Sequence, residues 1–217
     1  MKHKVNVSVL MAVYNTDFLL VKRAIDSVLN QNFQDFELII IDDGSYNDPK
    51  NQLFNYAKRH EGKVVYLRHS NRGQSKSISR GILNSIGEFI TILDADDEYK
   101  SNHLRACLQE MDQTDLIAST TETIVDTEED YYVSEKQNYT KVIHVDDCIL
   151  FATLFGRKEV FRAIQFLDEY GADAHFFERA AQTYRVRKID LRTYIYYRNI
   201  PNSICSTLKK QYSPMAV

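Results

Sequence analysis

Apolar positions along this chain fall into two kinds of run, short unbroken stretches and stretches repeating every three or four residues. Val5–Val13 is an apolar, Val-rich stretch suited to a buried strand. Asn15-Thr16-Asp17 then supplies helix-capping chemistry, and Phe18, Val21, Ile25 and Val28 follow at helical spacing. Phe36–Ile41 reads as a second buried strand, ending in Asp42-Asp43-Gly44-Ser45. Leu53, Phe54 and Ala57 predict a helix, Val64–Leu67 a third strand, and Asn71-Arg72-Gly73 a turn. Ile78, Ile82 and Ile86 recur every four residues, with Gly87 placed to close that helix. Phe89–Leu93 is the fourth strand, and Leu104, Cys107, Leu108 and Met111 mark the helix beyond it. Strand and helix alternating at this spacing predict an α/β fold with a doubly wound, mostly parallel sheet and helices on both faces.

The second half is less regular. Leu116–Ser119 reads as a strand, acidic and Thr-rich Glu122–Glu135 as a solvent-facing hairpin, and Val142–Val145 as a further short strand. Phe161–Leu167 suggests a short helix, and Phe176, Phe177, Ala180, Ala181 and Tyr184 form a helical stripe. Val186–Tyr197, rich in β-branched and aromatic residues, reads as strand. No interdomain linker or repeat interrupts the chain. A single domain over 1–217 is expected, with a mixed, smaller portion after about residue 100.

Composition narrows the class. The chain has 217 residues, 44% of them hydrophobic, and only 3 prolines, as a globular domain does. A net charge of −3 with both signs interspersed argues against nucleic acid as a partner, and Lys22-Arg23 and Lys209-Lys210 are too short to form a basic face. Cys107, Cys148 and Cys205 are far apart and form no C-x-x-C, so reduced thiols in a cytoplasmic protein are expected. Met1-Lys2-His3-Lys4 leads into an apolar run too short for a signal peptide, and no stretch is long enough to span a membrane. With 7 glycines there is neither a G-x-G-x-x-G nor a P-loop, so any nucleotide must be held another way.

The candidate chemistry is acidic. Phe89–Leu93 runs straight into Asp94-Ala95-Asp96-Asp97-Glu98. Like charges ~4 Å apart repel by about 4 kcal/mol at an effective dielectric near 20. A solvated turn would relieve this, and so would a divalent metal gripping a phosphate, because hard oxygen ligands suit Mg²⁺ or Mn²⁺. The location at a strand's C-terminal end, where open α/β sheets bind ligands, favours the metal. Asp42-Asp43 stands at a second such end, either as turn chemistry or as a carboxylate for a base or ribose. Tyr14 reads as core or as a stacking surface, and Asp173 as the cap of the Phe176 helix or as a general base. His175, beside Asp173, reads as an exposed side chain or a metal ligand; His69, His103 and His144 have no metal-ligand spacing.

Taken together these residues resemble the inverting glycosyltransferases of family 2, nucleotide-diphospho-sugar transferases of the GT-A fold. The resemblance runs from about Val5 to Ser206. It rests on Val7-Ser8-Val9-Leu10-Met11-Ala12-Val13-Tyr14-Asn15, Ala24-Ile25-Asp26-Ser27-Val28-Leu29-Asn30-Gln31, Phe36–Ser45, Asn71-x-Gly73, and Gly87-Glu88-Phe89-Ile90 leading to Leu93-Asp94-Ala95-Asp96-Asp97. It implies that residues to about 100 bind the nucleotide-sugar and the remainder the acceptor, with a C-terminal lid or tail near Asn202-Ser203-Ile204. Ala12 and Tyr14 would line the base pocket, Asp43 would read the base, usually uracil, and Asp94 and Asp96 would form the D-x-D pair. Asp96 and Asp97 would lie nearest the metal, Mn²⁺ or Mg²⁺. Asp173, six residues before Arg179, stands where the family places its catalytic base.

The pattern also departs from the family. Ile78-Ser79 replaces a frequent Arg-Asn, and Ala172 replaces the Glu before the base. Relatives often carry C-terminal membrane helices, so a chain ending at Val217 is expected to be a compact member or an excised domain. The implied activity is metal-dependent, inverting transfer from a nucleotide-sugar, a UDP-sugar first, to a glycan, glycolipid or other hydroxyl acceptor in polysaccharide or glycolipid synthesis. The expected place is the cytoplasm, with peripheral contact at the inner membrane face left open. A non-catalytic sugar-nucleotide-binding module is the alternative. A nucleotidyltransferase fits less well, because Leu10–Asp17 holds no Gly, Lys or Arg for a phosphate loop.

Overall fold

The computed structural model describes residues 5–48, 50–134, 141–167 and 171–199. The first half follows the apolar pattern closely. β1 (Val7–Val13), α1 (Phe18–Leu29), β2 (Phe36–Asp42), α2 (Gln52–Arg59), β3 (Val64–Arg68), α3 (Gln74–Asn84) and β4 (Phe89–Ile92) come in that order. Asp17 caps α1, its carboxylate accepting the Leu19 N–H at 2.8 Å. β1 pairs in parallel with β2 on one side and β4 on the other, and β2 pairs in parallel with β3.

Strand alternation divides the interior into two layers. Val7, Val9, Met11, Leu38 and Ile40 point to one face, where Val21, Ala24, Ile25 and Val28 of α1 and Leu53 and Ala57 of α2 cover them. Leu10, Ile39 and Ile41 point to the other, under Ile78 and Ile82 of α3. The strands are buried on both faces, which is why they read as continuous apolar runs.

Beyond β4 come β5 (Glu98–Tyr99), α4 (His103–Gln109), β6 (Leu116–Ile124), β7 (Tyr132–Ser134), β8 (Val142–His144), β9 (Leu154–Arg157), α5 (Lys158–Ala163), α6 (Ala172–Ala181) and β10 (Val186–Tyr197). The large sheet has the order β3-β2-β1-β4-β9-β6-β10-β5. β9 runs antiparallel to both β4 and β6, while β6 and β10 pair in parallel. α5 and α6 lie on the α3 face and α4 on the α1 face. The GT-A architecture, a mostly parallel sheet wound on both sides, is the one the sequence implied, with a small antiparallel pair, β7–β8, beside it.

Four local expectations change. β6 continues through Ile124, so no hairpin begins at Glu122; the antiparallel pair joins Tyr132–Ser134 to Val142–His144. α3 stops at Asn84 with Ser85 as its cap, leaving Ile86 46% exposed. Gly87 instead permits a close approach, since a Cβ there would stand 2.6 Å from the Ser8 nitrogen. α5 ends at Ala163, short of the helix expected to Leu167, and β9 was not expected at all. Asn202-Ser203-Ile204, Cys205 and Lys209-Lys210 lie outside the described residues.

Candidate active site

The chain crosses β1, β2 and β3 in one direction and returns to place β4 on the far side of β1, which opens a crevice at the C-terminal strand ends. Tyr14 leaves β1 there, Asp42 and Asp43 leave β2, and Asp94–Asp97 leave β4.

The two aspartates after β2 have different work. Asp42 is buried and accepts from the Ser45 N–H at 2.8 Å, the Tyr66 hydroxyl at 2.5 Å and Arg68 Nη1 at 3.0 Å. Burial first, then this carboxylate, pushes the Tyr66 hydroxyl up to about 12. Asp43 is also buried, and it organises the turn before α3. Its Oδ1 accepts from Arg72 N–H at 2.8 Å, and its Oδ2 from Gly73 N–H at 2.9 Å and Asn71 Nδ2 at 3.1 Å. This explains the Asn71-x-Gly73 spacing. Gly44 takes φ +84°, and a Cβ on it would come within 2.8 Å of the Asn71 nitrogen. His69, which has no metal-ligand spacing, places its Nε2 3.6 Å from Asp43 Oδ1 and 3.1 Å from Ser77 Oγ.

Tyr14 is 48% exposed, so the core reading is corrected: its ring stands at the rim, edge-to-face with exposed Tyr46 at 6.4 Å. Ala12 sits half-buried behind it at the end of β1. The loops after β1 and β2 are stitched together. Asn15 N–H donates to Ser45 Oγ at 3.0 Å, and Tyr46 N–H donates to Asn15 Oδ1 at 2.9 Å.

The acidic run splits by depth. Asp94 and Asp96 are partly accessible, whereas Asp97 is only 1% exposed. Asp97 Oδ2 accepts the Tyr194 hydroxyl at 2.7 Å and Oδ1 the Tyr197 N–H at 2.8 Å, so its two oxygens hold β10. Asp94 Oδ1 accepts from Gln74 Nε2 at 2.8 Å, and the Asp94 N–H donates to the Tyr194 hydroxyl oxygen at 3.3 Å. Arg23 Nη2 donates to the Asp96 carbonyl at 2.5 Å, pairs through Nε with Glu98 at 3.1 Å and lies over the Tyr197 ring.

All three aspartates are harder to ionise than usual. Burial, then the Asp96 charge, with a further contribution from Asp173, pushes Asp94 up to about 7. Burial raises Asp96. Burial and the charges of Asp94 and Asp96 raise Asp97 well above the carboxylate range.

Asp173 arrives from the other half of the chain. Gly171, at φ +76°, occupies the cap position of α6, so Asp173 is not the cap; it sits in the first turn, where the helix dipole favours a carboxylate. Its Oδ2 accepts from Phe151 N–H at 3.1 Å and its Oδ1 from Ala174 N–H at 2.8 Å. Its charge contributes to the raised Asp94 carboxyl. His175 is half-buried on the same turn. Among the described residues no three His, Cys, Asp or Glu side chains converge as a metal cage. Ile78 is fully buried, and Ala172 nearly so. Cys107 and Cys148 are free thiols, both pushed up chiefly by burial, Cys148 to about 11.

Gln74, Arg23, Tyr194 and Tyr197 were not expected at the site. Gln74 alone carried a local signal, standing directly after the Asn71-x-Gly73 turn.

The doubly wound, mostly parallel sheet defines a chain of the GT-A type. The family model described as Glycosyl transferase family 2 matches residues 8–185, and the chain belongs to that family. It is 35% identical over 108 residues to the GalNAc(5)-diNAcBac-PP-undecaprenol beta-1,3-glucosyltransferase of Campylobacter jejuni, covering 49% of this chain and 34% of that protein. Among solved structures, S. aureus TarS in complex with UDP superposes with a TM-score of 0.69 at 17% identity, over 88% of this chain and 60% of that one. The mannosyltransferase PcManGT from Pyrobaculum calidifontis, in complex with GDP-Man and Mn²⁺, gives 0.70 at 14%, over 94% and 59%. The chain spans 22% of the length of its Rickettsia felis relative and 46% of its Streptococcus pneumoniae relative.

Proposed function

We propose that this chain transfers a sugar, with inversion, from a nucleotide-sugar to an acceptor hydroxyl. The observation that carries the reading is the placement of Asp43 at the end of β2 and of Asp94 and Asp96 beyond β4, at neighbouring C-terminal ends of one sheet, with the charge of Asp173 on α6 acting on Asp94. The base and ribose rest between Tyr14, Ala12 and Asp43. A carboxylate offers about four lone-pair sites, and three donors already bind Asp43, which leaves capacity for one imide N–H. UDP is the preferred nucleotide, on the family resemblance and on a structural neighbour that holds UDP.

The donor set fits a divalent cation. Asp94 and Asp96 are hard oxygen ligands; burial makes both carboxyls harder to ionise, and the Asp96 charge adds to this at Asp94, a condition an added cation relieves. Asp96, with diphosphate oxygens completing the shell, would hold Mn²⁺ or Mg²⁺. Asp97 was expected nearest the metal too, but its oxygens face β10, so we assign it to positioning. When bound, the ion offsets charge developing on the leaving diphosphate.

Asp173 accepts the proton of the acceptor hydroxyl as that oxygen attacks the anomeric carbon. The bond from that carbon to the diphosphate breaks on the opposite face, its electron pair leaves with the phosphate oxygen, and Asp173 is left protonated. The acceptor is a glycan or glycolipid hydroxyl, met from the cytoplasm. No described helix is long and apolar enough to cross a membrane.

A second reading, binding without turnover, draws on Ile78 and Ala172, two packed side chains where the family pattern carries Arg and Glu. Product formation from UDP-sugars separates the two. Asp173→Asn should lose about 10²–10⁴ in turnover while retaining nucleotide affinity. Turnover at the wild-type rate would remove Asp173 from the role of base, and binding without product under any donor and acceptor would favour the second reading.

A further inference from the structure

We propose that Gln74 is a positioning residue of the donor site, fixing Asp94 through its side-chain amide. The inference rests on the reading of Asp94 as a donor-site carboxylate.

The turn before α3 and its first residues touch two acidic strand ends and the segment after α5. Backbone N–H groups of Arg72 and Gly73 hold Asp43. The Gln74 amide holds Asp94 at 2.8 Å. Ser75 Oγ donates to the Leu167 carbonyl at 3.1 Å, on the segment that precedes α6 and Asp173. Residue 78, where the family pattern carries Arg, offers the site no donor here, because Ile78 is fully buried among Leu10, Ile41 and Ile82. Gln74 itself is exposed, so folding does not require its amide.

An amide and a guanidinium differ in consequence. The amide fixes the direction of one Asp94 oxygen without neutralising the carboxylate. The second oxygen then stays available to the donor, and the demand for an external cation stays high. Loss of Gln74 therefore frees the Asp94 side chain to rotate and weakens nucleotide binding without disturbing the fold.

The test is calorimetric titration of UDP, and in parallel GDP, in Mn²⁺. Four proteins are compared with the wild type: Gln74→Met, which keeps length but has no donor, Gln74→Lys, which restores one, Asp94→Ala, and Gln74→Met combined with Asp94→Ala. The expected result is about tenfold weaker binding for Gln74→Met, the size of one hydrogen bond to a carboxylate. Gln74→Lys should recover to within about threefold, melting temperatures should match the wild type, and Gln74→Met should cost nothing further on the Asp94→Ala background. Wild-type affinity in Gln74→Met, or a loss that adds in full to Asp94→Ala, would overturn the proposal while leaving the donor-site reading intact. A wild-type protein that binds neither nucleotide would overturn that reading and this proposal with it.

Discussion

At the scale of single residues, the site is a set of carboxylates kept in an unfavourable state. Asp94 is pushed up to about 7 by burial and then by Asp96. Between its unfolded value near 4 and about pH 7, the folded protein holds a proton that the unfolded chain has released. Stability therefore falls as pH rises through that window and levels off above it. Asp94→Asn should stabilise the metal-free protein by ~1–3 kcal/mol at pH 8 and flatten its pH dependence. Denaturant unfolding at pH 5 and pH 8 measures this, and a wild-type protein equally stable at both would contradict the cause given for the shift. Asp173 was legible as a candidate from its spacing to Arg179, but the cap reading offered beside it is not met. The cap falls to Gly171, because a positive φ at that position suits glycine better than aspartate.

At the scale of elements, α3 and β10 hold the site together from opposite sides. β10 does so through Tyr194, whose hydroxyl donates to buried Asp97. Tyr194→Phe leaves that carboxyl short of a donor and should destabilise the fold by about 1–3 kcal/mol, read by thermal or denaturant unfolding. An unchanged midpoint would mean that the bond is dispensable. Gly44→Ala should cost a similar ~1–3 kcal/mol, since it forces a side chain into φ +84° and against Asn71. The sequence announced α3 and β10 as elements but not these contacts, because Asp97 and Tyr194 lie almost a hundred residues apart and no local period links them. β9 escaped for a different reason. Leu154–Arg157 is a brief strand within the longer apolar stretch around Phe151–Phe155, where neither a helical nor a strand period stands out. β6 was cut short because its outer end is Thr-rich, and polar residues at a strand end resemble a loop.

At the scale of the whole molecule, the doubly wound half was readable because strands buried on both faces leave unbroken apolar runs, and amphipathic helices leave four-residue repeats. Their order then fixes where the crevice opens. The mixed half depends on the insertion of β9 between β4 and β6, a pairing across distant segments that composition does not encode. The fold sets Tyr14 and Asp43 at the ends of β1 and β2, the acidic run beyond β4, and Asp173 on α6, which the proposed function reads as nucleotide site, metal site and base.

The central claim is that this acidic crevice is a metal-dependent nucleotide site. It is tested most directly by titrating the wild-type protein calorimetrically with UDP, once with Mn²⁺ and once with EDTA. Saturable binding in Mn²⁺ that disappears in EDTA, and that Asp96→Ala abolishes, is the predicted result. Binding that is equal in both conditions, or unaffected by Asp96→Ala, would contradict it.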